Sequence, residues 1–201
     1  AEAVPSFVNY VEGIYVGYKF YETAAAEGLI DYDKTVEYPF GYGLSYTTFT
    51  QTLNSVTEAD GTITVDVTVT NTGSASGKEV VEVYYNPPYT NGGIEKASVN
   101  LIGFAKTSEL APGASENVTV TFKAEDMASY DTYGKGCYVL EKGDYVISIN
   151  ADSHTVLDSK VYNVASDIVY DASNKRESDV EVADNKFDFA EGNVTYLSRA
   201  D

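Results

Sequence analysis

The chain has 201 residues, of which 31 are acidic and 13 are lysine or arginine, so its formal net charge at pH 7 is -18. A charge of this sign repels the phosphates of nucleic acids and of anionic membranes, which makes both poor partners. No run of about 18 apolar residues exists, so we predict no membrane-spanning helix. One cysteine, Cys137, excludes an internal disulfide, and the compartment stays open between cytoplasmic and secreted.

The first periodic segment runs from Val11 to Gly28. Its apolar residues recur at steps of three and four, which is typical of one face of an amphipathic helix that ends at Gly28. The residues on this predicted face are Ile14, Tyr18, Tyr21 and Ala25. Residues 29–37 then form a polar, acidic connection. This piece has too little apolar material to fold alone, so we expect it to pack on a neighbouring domain.

Residues 38–49, the aromatic loop, interleave glycines with aromatic side chains in the string YPFGYGLSYTTF. Glycine permits sharp turns and close approach, while aromatic rings supply rigid contact area, so the string predicts a shaped, close-packed loop. Two interpretations stay open. The loop is either a hydrophobic turn packed into its own core or a contact surface at a domain junction or sugar site. Tyr42 and Tyr46 are the candidates for stacking on a pyranose ring or for packing at a junction.

From Gln51 onward the apolar residues alternate with polar ones, which indicates half-buried β-strands separated by turns. The predicted strands cover residues 49–56, 62–70, 79–86, 99–106, 117–123, 138–140, 145–150 and 155–163. Short alternating strands without intervening helices favour an antiparallel, immunoglobulin-like sandwich. Because no cysteine pair can bridge the sheets, we predict the fibronectin type III-like version. After Val164 the pattern fails, and an acidic tail follows whose aromatic pairs suggest docking along a surface.

Two strings resemble the late part of family 3 glycoside hydrolases of the β-glucosidase type. They are YVEGIYVGYKFY at residues 10–21 and PFGYGLSYTTF at residues 39–49, and the likeness continues to about residue 165 through LIGFAK, LAPG and EKGDY. The resemblance implies three parts. Residues 1–50 are the terminal segment of an α/β sandwich domain, residues 51–165 form a fibronectin type III-like β-sandwich, and residues 166–201 are an acidic connector or tail.

The resemblance also implies a whole enzyme that hydrolyses β-glucosides or related sugars with retention, using two carboxyl groups. The family takes its nucleophile from a barrel domain, within a Ser-Asp-Trp-like string, and its acid/base glutamate from residues upstream of the EGIYVGY-like string. This chain has no tryptophan and lacks that upstream stretch. We therefore expect no catalytic residue here, and a sandwich that braces the remaining catalytic domains or a homo-oligomer.

Glu12 is the acidic residue best placed by its neighbours, since it stands among aromatic residues beside Gly13. A structural role, as a helix cap or an acceptor for backbone donors, is favoured over catalysis, and Glu12 joins Tyr42 and Tyr46 as a candidate for a substrate rim or domain junction. We expect no cofactor and no metal, because calcium-loop and zinc-ligand patterns are absent. Residues 184–191 come nearest to a calcium loop but lack alternating ligands. Cys137 is expected to be an inert thiol, and His154, the one histidine, to lie in a turn.

Two other functions remain open for a β-sandwich with many tyrosines. One is a free-standing carbohydrate-binding or cell-surface adhesion module, and the other is a spacer in a multidomain surface protein. The binding or adhesion module does not explain residues 10–49. A further hypothesis concerns domain order, because residues 193–201 resemble the lead-in to a catalytic barrel that follows the sandwich in some family 3 members.

Overall fold

Two antiparallel sheets carry the hydrophobic core of the protein. The computed structural model describes residues 12–180, 188–190 and 192–200. One sheet has three strands in the order β1-β2-β5, and the other has four in the order β4-β3-β8-β9. Their strands are β1 (Phe49–Ala59), β2 (Thr62–Asn71), β3 (Val80–Asn86), β4 (Asn100–Lys106), β5 (Ser115–Lys123), β8 (Gly143–Asn150) and β9 (Val156–Val164).

Alternation of side chains explains how the two sheets meet. In β2, Val65 and Val67 point inward and are fully buried, while Asp66 between them and the threonines on either side point outward. Val65 lies opposite Val120 of β5, so the two strands present their apolar residues to the same core. The facing sheet contributes fully buried residues such as Val83 and Ile147. The predicted fold class, an antiparallel fibronectin type III-like sandwich, is confirmed.

A third, smaller sheet was not predicted. Its strands, in the order β10-β7-β6, are β6 (Ser129–Tyr130), β7 (Tyr138–Leu140) and β10 (Ile168–Tyr170). Strand β7 is the predicted strand 138–140, whereas β6 and β10 lie in segments for which no strand was predicted. The pairing of β10 with β7 also ties part of the acidic tail to the sandwich.

The helical segment is shorter than predicted. Helix α1 spans Tyr18–Ala26 and is followed by the single turn α2, Tyr32–Thr35. The predicted stop is confirmed, because Gly28 has a φ of 72° and the Leu29 N–H bonds back to the Ala24 carbonyl oxygen at 2.8 Å. The predicted start is wrong for the described part of the segment, since Ile14 precedes the helix.

The predicted apolar face of α1 is also wrong. Tyr21 is exposed, and the buried residues of the helix are Glu22, Thr23 and Ala24. The physical reason is that α1 packs through hydrogen bonds on a largely polar surface. Thr23 Oγ1 accepts the backbone N–H of Ser98 at 2.9 Å, and Tyr18 Oη accepts that of Leu101 at 2.9 Å.

The two sheets have different outer faces. The outer face of the four-stranded sheet, here the covered face, lies under α1 and the aromatic loop, so its outward residues Tyr84 and Ser148 are buried. The outer face of the three-stranded sheet, here the open face, carries mainly threonine and serine, such as Thr68, Thr121 and Ser115. In the described part of the chain, no helix has the length and apolar character needed to cross a membrane.

Candidate functional site

The aromatic loop presents an apolar surface on the outside of the covered face. The side chains of Tyr46 and Leu44 are almost completely exposed, at 101% and 90%, and three further apolar residues of the loop are between about half and two thirds exposed. These three residues are Tyr38, Phe40 and Tyr42. The loop carries no charged side chain. Exposed apolar patches of this kind are typical of contact sites.

The backbone of the loop is fixed from below. The ring of Phe40 stacks on Tyr18 with ring centres 4.5 Å apart, and Tyr18 in turn meets the buried ring of Tyr84 edge-on. The Phe40 carbonyl oxygen accepts the Ser153 N–H at 2.7 Å, which joins the loop to the turn after β8. The loop is therefore anchored to the sandwich at Phe40.

Gly41 is required by this arrangement. Its φ is 87°, a conformation that glycine adopts without strain. A Cβ atom at this position would also collide with the Glu82 carboxylate of β3. Tyr84 Oη donates to Glu82 Oε2 at 2.7 Å, and burial raises the pKa of Glu82 above its usual value. The same burial, together with this hydrogen bond, raises the pKa of Tyr84.

The sequence-predicted site residues fall into two places. Tyr42 and Tyr46 both lie on the aromatic loop, and the Tyr42 ring is 5.3 Å from that of Tyr38. Glu12 lies elsewhere, at the rim of a cavity of about 440 Å³ between residues 12–21 and residues 194–197. Its side chain is exposed and precedes α1 by six residues, so it does not cap that helix.

A buried carboxylate beneath the loop, that of Glu22, was not predicted from the sequence. Glu22 is only 5% exposed and accepts hydrogen bonds from Tyr32 Oη and Ser153 Oγ, each at 2.7 Å. His154 Nδ1 lies 2.9 Å from its other oxygen, and the His154 and Tyr32 rings stack 3.7 Å apart. Burial and the bond to Glu22 raise the pKa of Tyr32. The one histidine of the chain was the available signal, and it lies in a turn as predicted.

The last described residues also bind the sandwich. Glu95 accepts hydrogen bonds from Tyr15 Oη and from Ser198 Oγ, and Arg199 Nε donates to Glu27 at 2.7 Å. The Arg199 guanidinium lies 3.9 Å from the centre of the Tyr89 ring, a cation–π contact. The predicted docking of the tail is therefore visible for residues 198–199 and for β10. Residues 181–187 and 191, within or beside the acidic stretch 184–191, lie outside the described residues.

Nothing in the described ranges groups three or more His, Cys, Asp or Glu side chains in a way that could hold a metal ion. Cys137 is a free, half-buried thiol. The described site is thus a set of exposed rings on a rigid support, and its chemistry is that of contact by stacking and apolar burial.

Comparison with known proteins places these features in a family. Residues 79–153 match the family model described as fibronectin type III-like domain. The chain is 43% identical over 157 residues to β-glucosidase A of Butyrivibrio fibrisolvens, an alignment that covers 69% of this chain and 18% of that protein. This chain corresponds to the fibronectin type III-like part of family 3 β-glucosidases. The predicted resemblance to family 3 β-glucosidases is confirmed.

Other relatives agree. The β-glucosidase of Kluyveromyces marxianus is 33% identical over 176 residues, which is 83% of this chain and 20% of that protein. The solved structure of β-glucosidase 3B from Thermotoga neapolitana superposes with a TM-score of 0.69 at 35% identity, over 80% of this chain and 21% of that one. The chain therefore spans a fifth or less of the length of the curated relatives it matches.

Proposed function

We propose that this chain is the non-catalytic portion of an enzyme that hydrolyses β-glucosidic bonds with retention, and that its sandwich braces the catalytic domains. One observation carries the proposal: the aromatic loop is fixed to the sandwich by the Phe40 stack and the Ser153 hydrogen bond, yet it leaves Leu44 and Tyr46 uncovered. A rigid apolar surface of this kind supports docking because little conformational entropy is lost on binding.

The catalytic carboxyl groups belong, in this proposal, to other parts of the enzyme. Retaining hydrolysis needs a nucleophile and an acid/base about 5 to 5.5 Å apart. The absence of tryptophan in the sequence and the partial coverage of the relatives support their placement outside this chain. Tyr42 and Tyr46 then contact a catalytic domain, and Glu12 keeps a structural role beside the segment 194–197.

The activity is tested with a chromogenic β-glucoside. The purified chain alone should release no chromophore, whereas the same chain mixed with the catalytic portion should raise the activity or thermal half-life of that portion. Hydrolysis by the chain alone would contradict the expected absence of a catalytic pair. No effect in the mixture would contradict the bracing role.

The contact surface is tested by truncating its rings. The double variant Y42A/Y46A should weaken binding to the catalytic portion by about tenfold or more, since exposed aromatic anchors commonly dominate interfaces. The matched control is Y133A, because Tyr133 is 83% exposed and lies outside the loop. Equal binding by both variants would place the interface elsewhere on the chain.

A free-standing carbohydrate-binding module is the second candidate, favoured by the exposed tyrosines of the loop. It predicts that the chain alone binds soluble or insoluble β-glucan, and that the Y42A/Y46A substitutions abolish this binding. The packing of residues 12–48 on the covered face argues for the bracing role, because a simple binding module has no need of that added segment.

A further inference from the structure

Strand β9 is a long edge strand, and it meets β1 of the other sheet through the Lys160 side chain. It is the last strand of the four-stranded sheet, so one of its sides pairs with β8 and the other is open. Of its nine residues, the first six are exposed, including the apolar Val156, Leu157 and Val161. The strand contains no proline. Edges of this kind are templates for pairing with another strand unless they are blunted.

One hydrogen bond shows which backbone groups of β9 point to its open side, away from β8. The Ser159 N–H is bonded to the Asp158 carboxylate at 2.8 Å, so this N–H points away from β8. Backbone groups of an antiparallel strand alternate between its two sides, which puts the groups of Val161 on the open side together with those of Ser159. Leu157 is the extra residue of an irregularity opposite Ile149 and Asn150.

The sequence of the strand is nearly symmetric about Ser159 when it is compared with the same sequence in the reverse direction. About Ser159, the segment reads VLDSKVY from Val156 to Tyr162, so the residues at equal distance on either side are alike or complementary. Leu157 matches Val161, and Asp158 matches Lys160. A second copy of the strand, running antiparallel about a two-fold axis at Ser159, would therefore place apolar residues opposite apolar ones and each acid opposite a base.

We propose that β9 pairs with β9 of a second copy of this chain, joining two four-stranded sheets into one across a two-fold axis at Ser159. Ser159 would form the hydrogen-bonded pair with its own copy, because its backbone groups face the open side. Asp158 and Lys160 of opposite copies would then form the non-hydrogen-bonded pairs, where side chains approach most closely. This pairing does not depend on the enzyme activity proposed above.

Charge explains why a second copy is the occupant that fits. A foreign strand would have to neutralise Asp158 and Lys160 at the right spacing, whereas the same strand reversed does so automatically. Lys160 Nζ presently donates to the Asn54 carbonyl oxygen at 2.9 Å in an exposed bond, so the lysine is available for a new partner at small cost. The interface is isologous, as a two-fold dimer requires.

The test measures the oligomeric state of the whole chain by sedimentation equilibrium up to about 1 mM, the weak end of specific affinities. The wild type should form dimers, and both K160D and D158K should raise the dissociation constant about tenfold or more, because each puts like charges opposite each other. The exchange D158K/K160D should restore dimers. Mixing the two single variants should give a heterodimer, since one then supplies two lysines and the other two aspartates.

The control variant is T121K, which changes the charge of the open face and should leave dimerisation unchanged. Circular dichroism of every variant verifies that these exposed substitutions keep the fold. A wild type that stays monomeric at the highest concentration would overturn the proposal. So would dimers that survive K160D and D158K unchanged, or single variants that fail to associate when mixed.

Discussion

The covered face and the open face belong to the same sandwich, yet residues that point away from the core are buried on the first and largely accessible to water on the second. On the open face, strands β2 and β5 alternate cleanly, with valines inward and threonines outward. On the covered face, Tyr84 and Ser148 point away from the core and are still buried, because residues 12–48 lie over them. The alternation of a strand thus predicts which residues face the core. It does not predict that a distant segment, residues 12–48, buries residues on the opposite face.

The largest expected difference between the faces comes from truncating one outward residue on each. Y84A should lower the free energy of unfolding by about 3–5 kcal/mol, the usual cost of removing a buried aromatic ring. T121A, on an exposed position of the open face, should change it by less than about 0.5 kcal/mol. Urea denaturation measures both values. Similar values would mean that the cover over Tyr84 contributes no packing energy.

The buried Glu22 carboxylate is the next strongest link between the cover and the sandwich. E22A leaves Tyr32 Oη and Ser153 Oγ without their acceptor, so we expect a loss of about 2 kcal/mol in the free energy of unfolding. The matched control is E37A, which removes the same charge from an exposed position in the same segment. If both variants unfold alike, the hydrogen bonds to Glu22 are not stabilising.

Alanine substitutions at two glycines distinguish the cost of a strained backbone from the cost of a steric clash. Both Gly41 and Gly113 have positive φ, but only at Gly41 would a Cβ atom meet another group, the Glu82 carboxylate. G113A should cost about 1–2 kcal/mol from the left-handed conformation alone, and G41A should cost more. Thermal unfolding compares them. Equal costs would show that the Glu82 side chain moves aside freely.

The smallest effect concerns pH. Burial raises the pKa of Glu82 in the folded protein above its unfolded value, so the protonated carboxyl favours the folded state. This contribution is complete below the unfolded pKa, about 4.3, and is lost as pH rises through the folded pKa. E82Q removes the titration. Between about pH 4 and pH 7 the variant should therefore lose less stability than the wild type, and an identical pH profile would contradict this.

The sequence predicted most of the open face, but little of how residues 12–48 pack on the covered face. Alternation in residues 62–70 and 117–123 identified β2 and β5, because one face of each meets the core and the other meets water. The same argument placed Val81 and Val83 inward on β3 correctly. It gave no indication of the burial of Tyr84, because the ring that covers it belongs to Tyr18, far earlier in the chain.

The candidate site shows the same limit. The glycines and aromatic residues of the loop predicted a shaped contact surface, and local sequence was enough for that. The support beneath it depends on Glu22 meeting Ser153 across 131 positions of sequence, a contact that no local pattern records. The predicted apolar stripe on α1 failed for the same reason, since hydrogen bonds to a folded neighbour replaced apolar burial.

The contact between Glu22 and Ser153 has a consequence for exchanging this module between related proteins. A graft that transfers the strands alone would leave the ring of Tyr84 facing water, together with polar groups of Ser148 that the cover now shields. Such a graft would be prone to aggregate. The transferable module is the strands with residues 12–48 still attached, and recombination in nature or in the laboratory should succeed most often when both travel together.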